Sequence, residues 1–183
     1  MWHAAVRVIR YGRILGSCAA IVVCSAYVTR STADTVGAAP LFGITIPQGY
    51  RDWKLVSVAH EAGNLNDIRA ILGNELAIKA YREKAASFPD GAIVARLSWT
   101  FVASEENNKV FGREQSFVAG PPPKWYLQFM VKDSKKYAAT GGWGFAQFDK
   151  DGKPSADKAQ IEACFPCHVP AKSNDYLFTH YAP

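Results

Sequence analysis

Sulfur is scarce in this chain of 183 residues, which holds four cysteines and two methionines. After Cys24 no cysteine occurs before Cys164, and Cys167 is the last. So sparse a set excludes the disulfide scaffold of a small exported domain, where several pairs are spread along the chain. Beyond residue 33 no cluster of Lys and Arg with interleaved aromatics occurs, which excludes a nucleic-acid-binding surface. No repeat of fixed period is visible, and four long amphipathic helices cannot be laid out, which excludes a four-helix bundle. The longest uncharged apolar run, Ile14 to Val28 (ILGSCAAIVVCSAYV), falls short of the roughly 20 residues that a membrane-spanning helix needs. What is present is ordinary globular material: 49% hydrophobic, 20% charged and 13% aromatic residues, enough for one domain with a real core.

The first 33 residues differ from the rest. Arg7, Arg10 and Arg13 precede the apolar run, and the small residues Ser31 and Ala33 follow it. A basic start, an apolar middle and small residues at the end read as a signal peptide, cut after Ala33, that sends residues 34–183 to the periplasm or outside the cell. An uncleaved N-terminal membrane anchor is the alternative. Cys18 in LGSC resembles a lipoprotein acylation site, but the apolar run continues past it instead of ending there. Of 21 Lys and Arg residues, four lie in this segment, whereas none of the 16 Asp and Glu does, so residues 34–183 carry a net charge near +1.

Glycine and proline punctuate the remainder into short segments of strand-like composition. In AIVARLSWTFVA, Ala92 to Ala103, an apolar set of Ile93, Ala95, Leu97, Trp99 and Phe101 alternates with Val94, Arg96, Ser98 and Thr100, as along a strand with one core side. KWYLQFMVKD from Lys124 and GWGFAQFDKDGK from Gly142 read as two more strands. NELAIKAYREK reads as a short helix capped by Asn74. PSADKAQIEACFPCH reads as a helix with Ser155 as N-cap, and DYLFTHYAP as a final strand. The expected fold is α+β: a domain dominated by an antiparallel β-sheet with short flanking helices.

The residues with the most chemistry lie in CFPCH, Cys164 to His168. A structural zinc site would need a fourth ligand, for which only His60 and His180 remain, at unsuitable spacing. A redox dithiol belongs at the start of a helix after a strand. A disulfide across two intervening residues closes too small a loop to stabilise much. A c-type haem attachment site fits better: two thiols for the porphyrin vinyl groups and the adjacent His168 imidazole for the iron. Export agrees with it, because such haems are attached outside the cytoplasm. No methionine follows His168; Met130 reads as strand core, His60 as a surface residue and His180 as an edge-strand side chain, which leaves the iron five-coordinate.

GYRDWKLVS (49–57), IRAILGNELAIKAYREKAASFPDGAIVARL (68–97), VKDSKKYA (131–138), CFPCH and DYLFTHYAP together resemble the cytochrome P-460 family and its sister group, the cytochromes c′-beta. The resemblance implies a sheet-built fold with one haem c and an open distal pocket, often in a homodimer. It further implies small ligands such as nitric oxide, hydroxylamine or carbon monoxide, and in the oxidising members an electron-accepting cytochrome as partner. Where those members carry a lysine linked to the porphyrin edge, this chain has Arg96; where they carry a distal carboxylate, it has Gln128. A guanidinium stays protonated and is a poor nucleophile, and an amide is no general base. Both departures favour binding over turnover.

Overall fold

The computed structural model describes residues 41–182, so the signal segment proposed for residues 1–33 lies outside the described residues. Six strands form one antiparallel sheet: β1 (Lys54–Glu61), β2 (Asp67–Gly73), β3 (Ile93–Ala103), β4 (Phe117–Ala119), β5 (Leu127–Lys132) and β6 (Trp143–Phe148). Their order is β1-β2-β3-β5-β6, and β4 pairs with the far end of β3. The long strand β3 is therefore central, paired with β5 over Ile93–Leu97 and with β4 over Phe101–Ala103. The helices are short: α1 (Glu75–Arg82), α2 (Glu105–Phe111), α3 (Lys158–Glu162) and α4 (Cys164–His168). The architecture is the α+β, sheet-dominated one expected. Among the described residues no helix is long and apolar enough to cross a membrane.

Both faces of the sheet are buried at its central strands. On one, Ile71, Val94, Met130 and Phe145 pack with Ile78 and Tyr81 of α1 and Ile161 of α3. On the other, Ala95, Leu97, Leu127, Phe129 and Phe148 pack with Ile44, Tyr50 and Trp53. Strand β3 thus has two core sides: Val94 is buried like Ala95 and Leu97, because residues of α1 and α3 pack on the side that looked less apolar in sequence. Met130 is core, at 9% exposure, whereas His60 and His180 are exposed. Asn74 caps α1 as expected: its side chain accepts from the Ala77 N–H at 3.0 Å and from the Ile93 N–H at 3.1 Å, tying the helix to the start of β3.

Three local expectations are corrected. The cap of α3 is Asp157, which accepts from the Gln160 N–H at 3.0 Å. Ser155 is drawn inside, at 1% exposure, because Pro154 bridges back to Phe148 and holds that stretch extended. The single helix expected there is two, separated at Ala163. Pro166 supplies no N–H to the Glu162 carbonyl one turn earlier, so the ladder is interrupted at that point. Finally, DYLFTHYAP forms no strand, since Asp175 and Tyr176 both adopt left-handed backbone (φ 47° and 65°) and a single bond, Ala182 N–H to the Val56 carbonyl, joins its end to β1.

Candidate haem site

Directly opposed residues of antiparallel strands share a face, and the register aligns Ile71, Arg96, Gln128 and Gln147 in one row across four strands. The adjacent row is Gly73, Val94, Met130 and Phe145. Helix α4 lies on this side: the His168 ring is 5.3 Å from that of Phe145, and the Gln147 amide nitrogen is 3.9 Å from the Cys164 sulfur. The fold thus brings Arg96 and Gln128 together on the face that carries Cys164, Cys167 and His168. Tyr126 stands ahead of β5 and packs with Tyr50 on the other side.

On α4, Cys164 and Cys167 are one turn apart, and both thiols are free. Burial pushes the Cys164 thiol up to about 11, with Cys167 adding to the effect, so it is held as the thiol. The His168 Nδ1 lies 2.7 Å from the Tyr176 carbonyl oxygen, which can only accept. Nδ1 therefore carries the proton and Nε2 keeps its lone pair. Burial lowers the pKa of the ring, opposed by that hydrogen bond, and so favours its neutral form. Beside it, Phe178 is 60% exposed with its ring 5.1 Å from that of His168.

The row of polar residues is tied to a charged cluster that sequence reasoning missed. Asp67, 3% exposed, receives Arg96 on one carboxylate oxygen and Arg69 on the other, the latter at 2.5 Å; Arg69 also pairs with Glu61. Desolvation by burial, then repulsion from Arg69, lower the Arg96 pKa, yet a guanidinium remains charged. The Arg96 Nε and the Gln147 Oε1 are buried without a hydrogen-bond partner. The only sequence sign of this cluster was a pair of charges, Asp67 and Arg69, two apart and hence on one face of a strand.

These residues fit a haem c. A thiol adds its S–H across a vinyl double bond with nothing lost, which two free thiols on one turn of helix can do twice. A neutral imidazole with Nδ1 committed elsewhere presents Nε2 to a metal. The exposed Phe178, with its ring beside that of His168, is an apolar surface that a macrocycle would cover, and the buried, unpartnered Arg96 Nε and Gln147 Oε1 lie on the same side of the sheet. A tetrahedral metal site has no comparable support, because among the described residues no three His, Cys, Asp or Glu side chains are gathered to hold an ion.

A sheet-built haem cytochrome is the class that this fold and these residues define. The chain belongs to the cytochrome P460 family, whose model, described as Cytochrome P460, matches residues 47–179. No curated protein matches it. The family match covers the whole described sheet, the row containing Arg96 and Gln128, and the CFPCH helix.

Proposed function

We propose that this chain is an exported mono-haem c-type cytochrome that binds small nitrogen ligands, nitric oxide foremost, at a five-coordinate iron. Cys164 and Cys167 are the anchors and His168 the sole protein ligand. The group would supply an iron with one open position. The observation that carries the reading is the composition of the row facing α4: Arg96 and Gln128 can donate hydrogen bonds to a bound ligand. Neither can take a proton from one at neutral pH, nor serve readily as a nucleophile. Asp67, the nearest buried carboxylate on that row's flank, is committed to Arg69 and Arg96. A second copy of the chain is the partner proposed for it, and an electron-accepting cytochrome would be needed only for turnover.

Acid–acetone extraction and visible spectra test this reading. The haem should stay with the protein, be lost or weakened in attachment on Cys164→Ala or Cys167→Ala, and give a changed spectrum of the reduced protein with nitric oxide. Freely extractable haem would reject the attachment. Steady multiple turnover of hydroxylamine, or haem linked to a tryptic peptide containing residue 96, would favour the oxidoreductase instead.

A further inference from the structure

The Asp175 carboxylate accepts from Lys132 Nζ at 2.8 and 2.9 Å and from the Phe88 N–H at 2.7 Å. The two side chains are among the least exposed charged groups described, at 5% and 8%. A buried ion pair is weak evidence for stability, since its desolvation offsets its attraction. What this one does is fix backbone. Asp175 and Tyr176 are consecutive non-glycine residues in the left-handed region, a conformation that costs about 1 kcal/mol or more each and persists only where its surroundings enforce it. The third Lys132 bond goes to the Gly141 carbonyl at 3.2 Å, and Gly141 has no Cβ because one would lie 2.4 Å from the Tyr176 ring. The carboxylate of Asp175 and the ring of Tyr176 are thus both held in place, and the carbonyl of Tyr176 is the acceptor for His168 Nδ1.

Resting on the reading of His168 as the iron ligand, we propose that Lys132 and Asp175 are positioning residues for that histidine: they hold the Tyr176 carbonyl against Nδ1 and so set the orientation and donor strength of Nε2. A firmly held acceptor on the far nitrogen makes an imidazole a stronger ligand. Neither residue lies in the CFPCH segment; they reach His168 only through the turn at 175 and 176. A cavity of about 570 Å³, lined in part by Ser87, Asp90, Ser134, Lys132 and Asp175, opens onto the pair.

The test uses the holoprotein, with the iron–histidine stretch of the reduced form by resonance Raman and the reduction potential as readouts. In Lys132→Met the haem content should match the wild type, the stretch should move to lower frequency and the potential should rise. Should that variant not fold, Asp175→Asn, which keeps the shape and the acceptor for Phe88 N–H, carries the same expectation. In Lys132→Ala, propylammonium admitted by the cavity should return the stretch toward its wild-type frequency. Variants that melt earlier but keep the wild-type stretch and potential would overturn the proposal and leave the pair a structural one. A wild-type protein that holds haem but shows no iron–histidine stretch would overturn the reading of His168 itself, and with it this one.

Discussion

At position 96 an arginine and a lysine would offer different chemistry to a bound porphyrin, and the neighbours of that position matter as much as its identity. A lysine there would stand beside Asp67, 3% exposed, whose charge favours the ammonium form, and an ammonium has no lone pair with which to attack. Joining an amine nitrogen to the porphyrin edge replaces one N–H and one C–H by a C–N bond and releases two protons and two electrons, so it also needs an oxidant such as peroxide. Arg96→Lys alone should therefore yield little haem-linked residue-96 peptide after peroxide, whereas Arg96→Lys with Asp67→Asn should yield more. Mass spectrometry of the digests decides; equal yields would show that Asp67 does not control the amine. The same variants should both retain haem at Cys164 and Cys167, which lie on a separate helix.

Elements that carry their own local signals were legible in the sequence, and those positioned by distant partners were not. Asn74 announced α1, alternation announced β3, and the aromatic runs announced β5 and β6, each within a few residues. Strand β1 escaped because it is an edge strand with one buried residue, Val56, so no apolar period marks it. Helix α2 had its cap, Ser104, and a left-handed Gly112 beyond its end, but it buries nothing and shows no apolar stripe. The cysteine motif was readable because its chemistry is local, whereas Lys132, Asp175 and Asp67 gained meaning only once the chain brought them to Tyr176 and Arg96. Asn74 shows how much one local signal can hold. Its amide oxygen satisfies two N–H groups, on α1 and on β3, and its amide nitrogen donates to the Gly91 carbonyl at 2.8 Å. Asn74→Ala should cost about 2 kcal/mol, more than an average helix cap, because the Ile93 N–H is orphaned as well. Urea unfolding checks this, and a loss below about 0.5 kcal/mol would mean that water replaces the side chain at both sites.

Across the whole described sheet the two faces divide the work, although one hydrogen-bonded layer carries both. The face with α4 mixes an apolar row, Val94, Met130 and Phe145, with the polar row of Arg96, Gln128 and Gln147, and both rows meet the CFPCH helix. The opposite face is almost wholly apolar, with Phe129 between Phe148 and Tyr50 in edge-on contacts at 5.9 and 5.5 Å. Phe145 and Phe148 belong to one strand, three residues apart, and so point to opposite sides. Each is almost fully buried, at 3% and 0%, so Phe→Leu at either position removes similar packing and should cost about 1 kcal/mol, or about 2–4 °C in melting temperature. Only at 145 does the ring touch His168. Phe148→Leu should therefore lower stability while leaving the reduced spectrum, the reduction potential and nitric oxide affinity at wild-type values, whereas Phe145→Leu should lower stability and change all three. A spectrum that responds equally to both substitutions would mean that the sheet transmits packing changes from face to face, and that the polar row is tuned by the whole core rather than by the side on which the CFPCH helix lies.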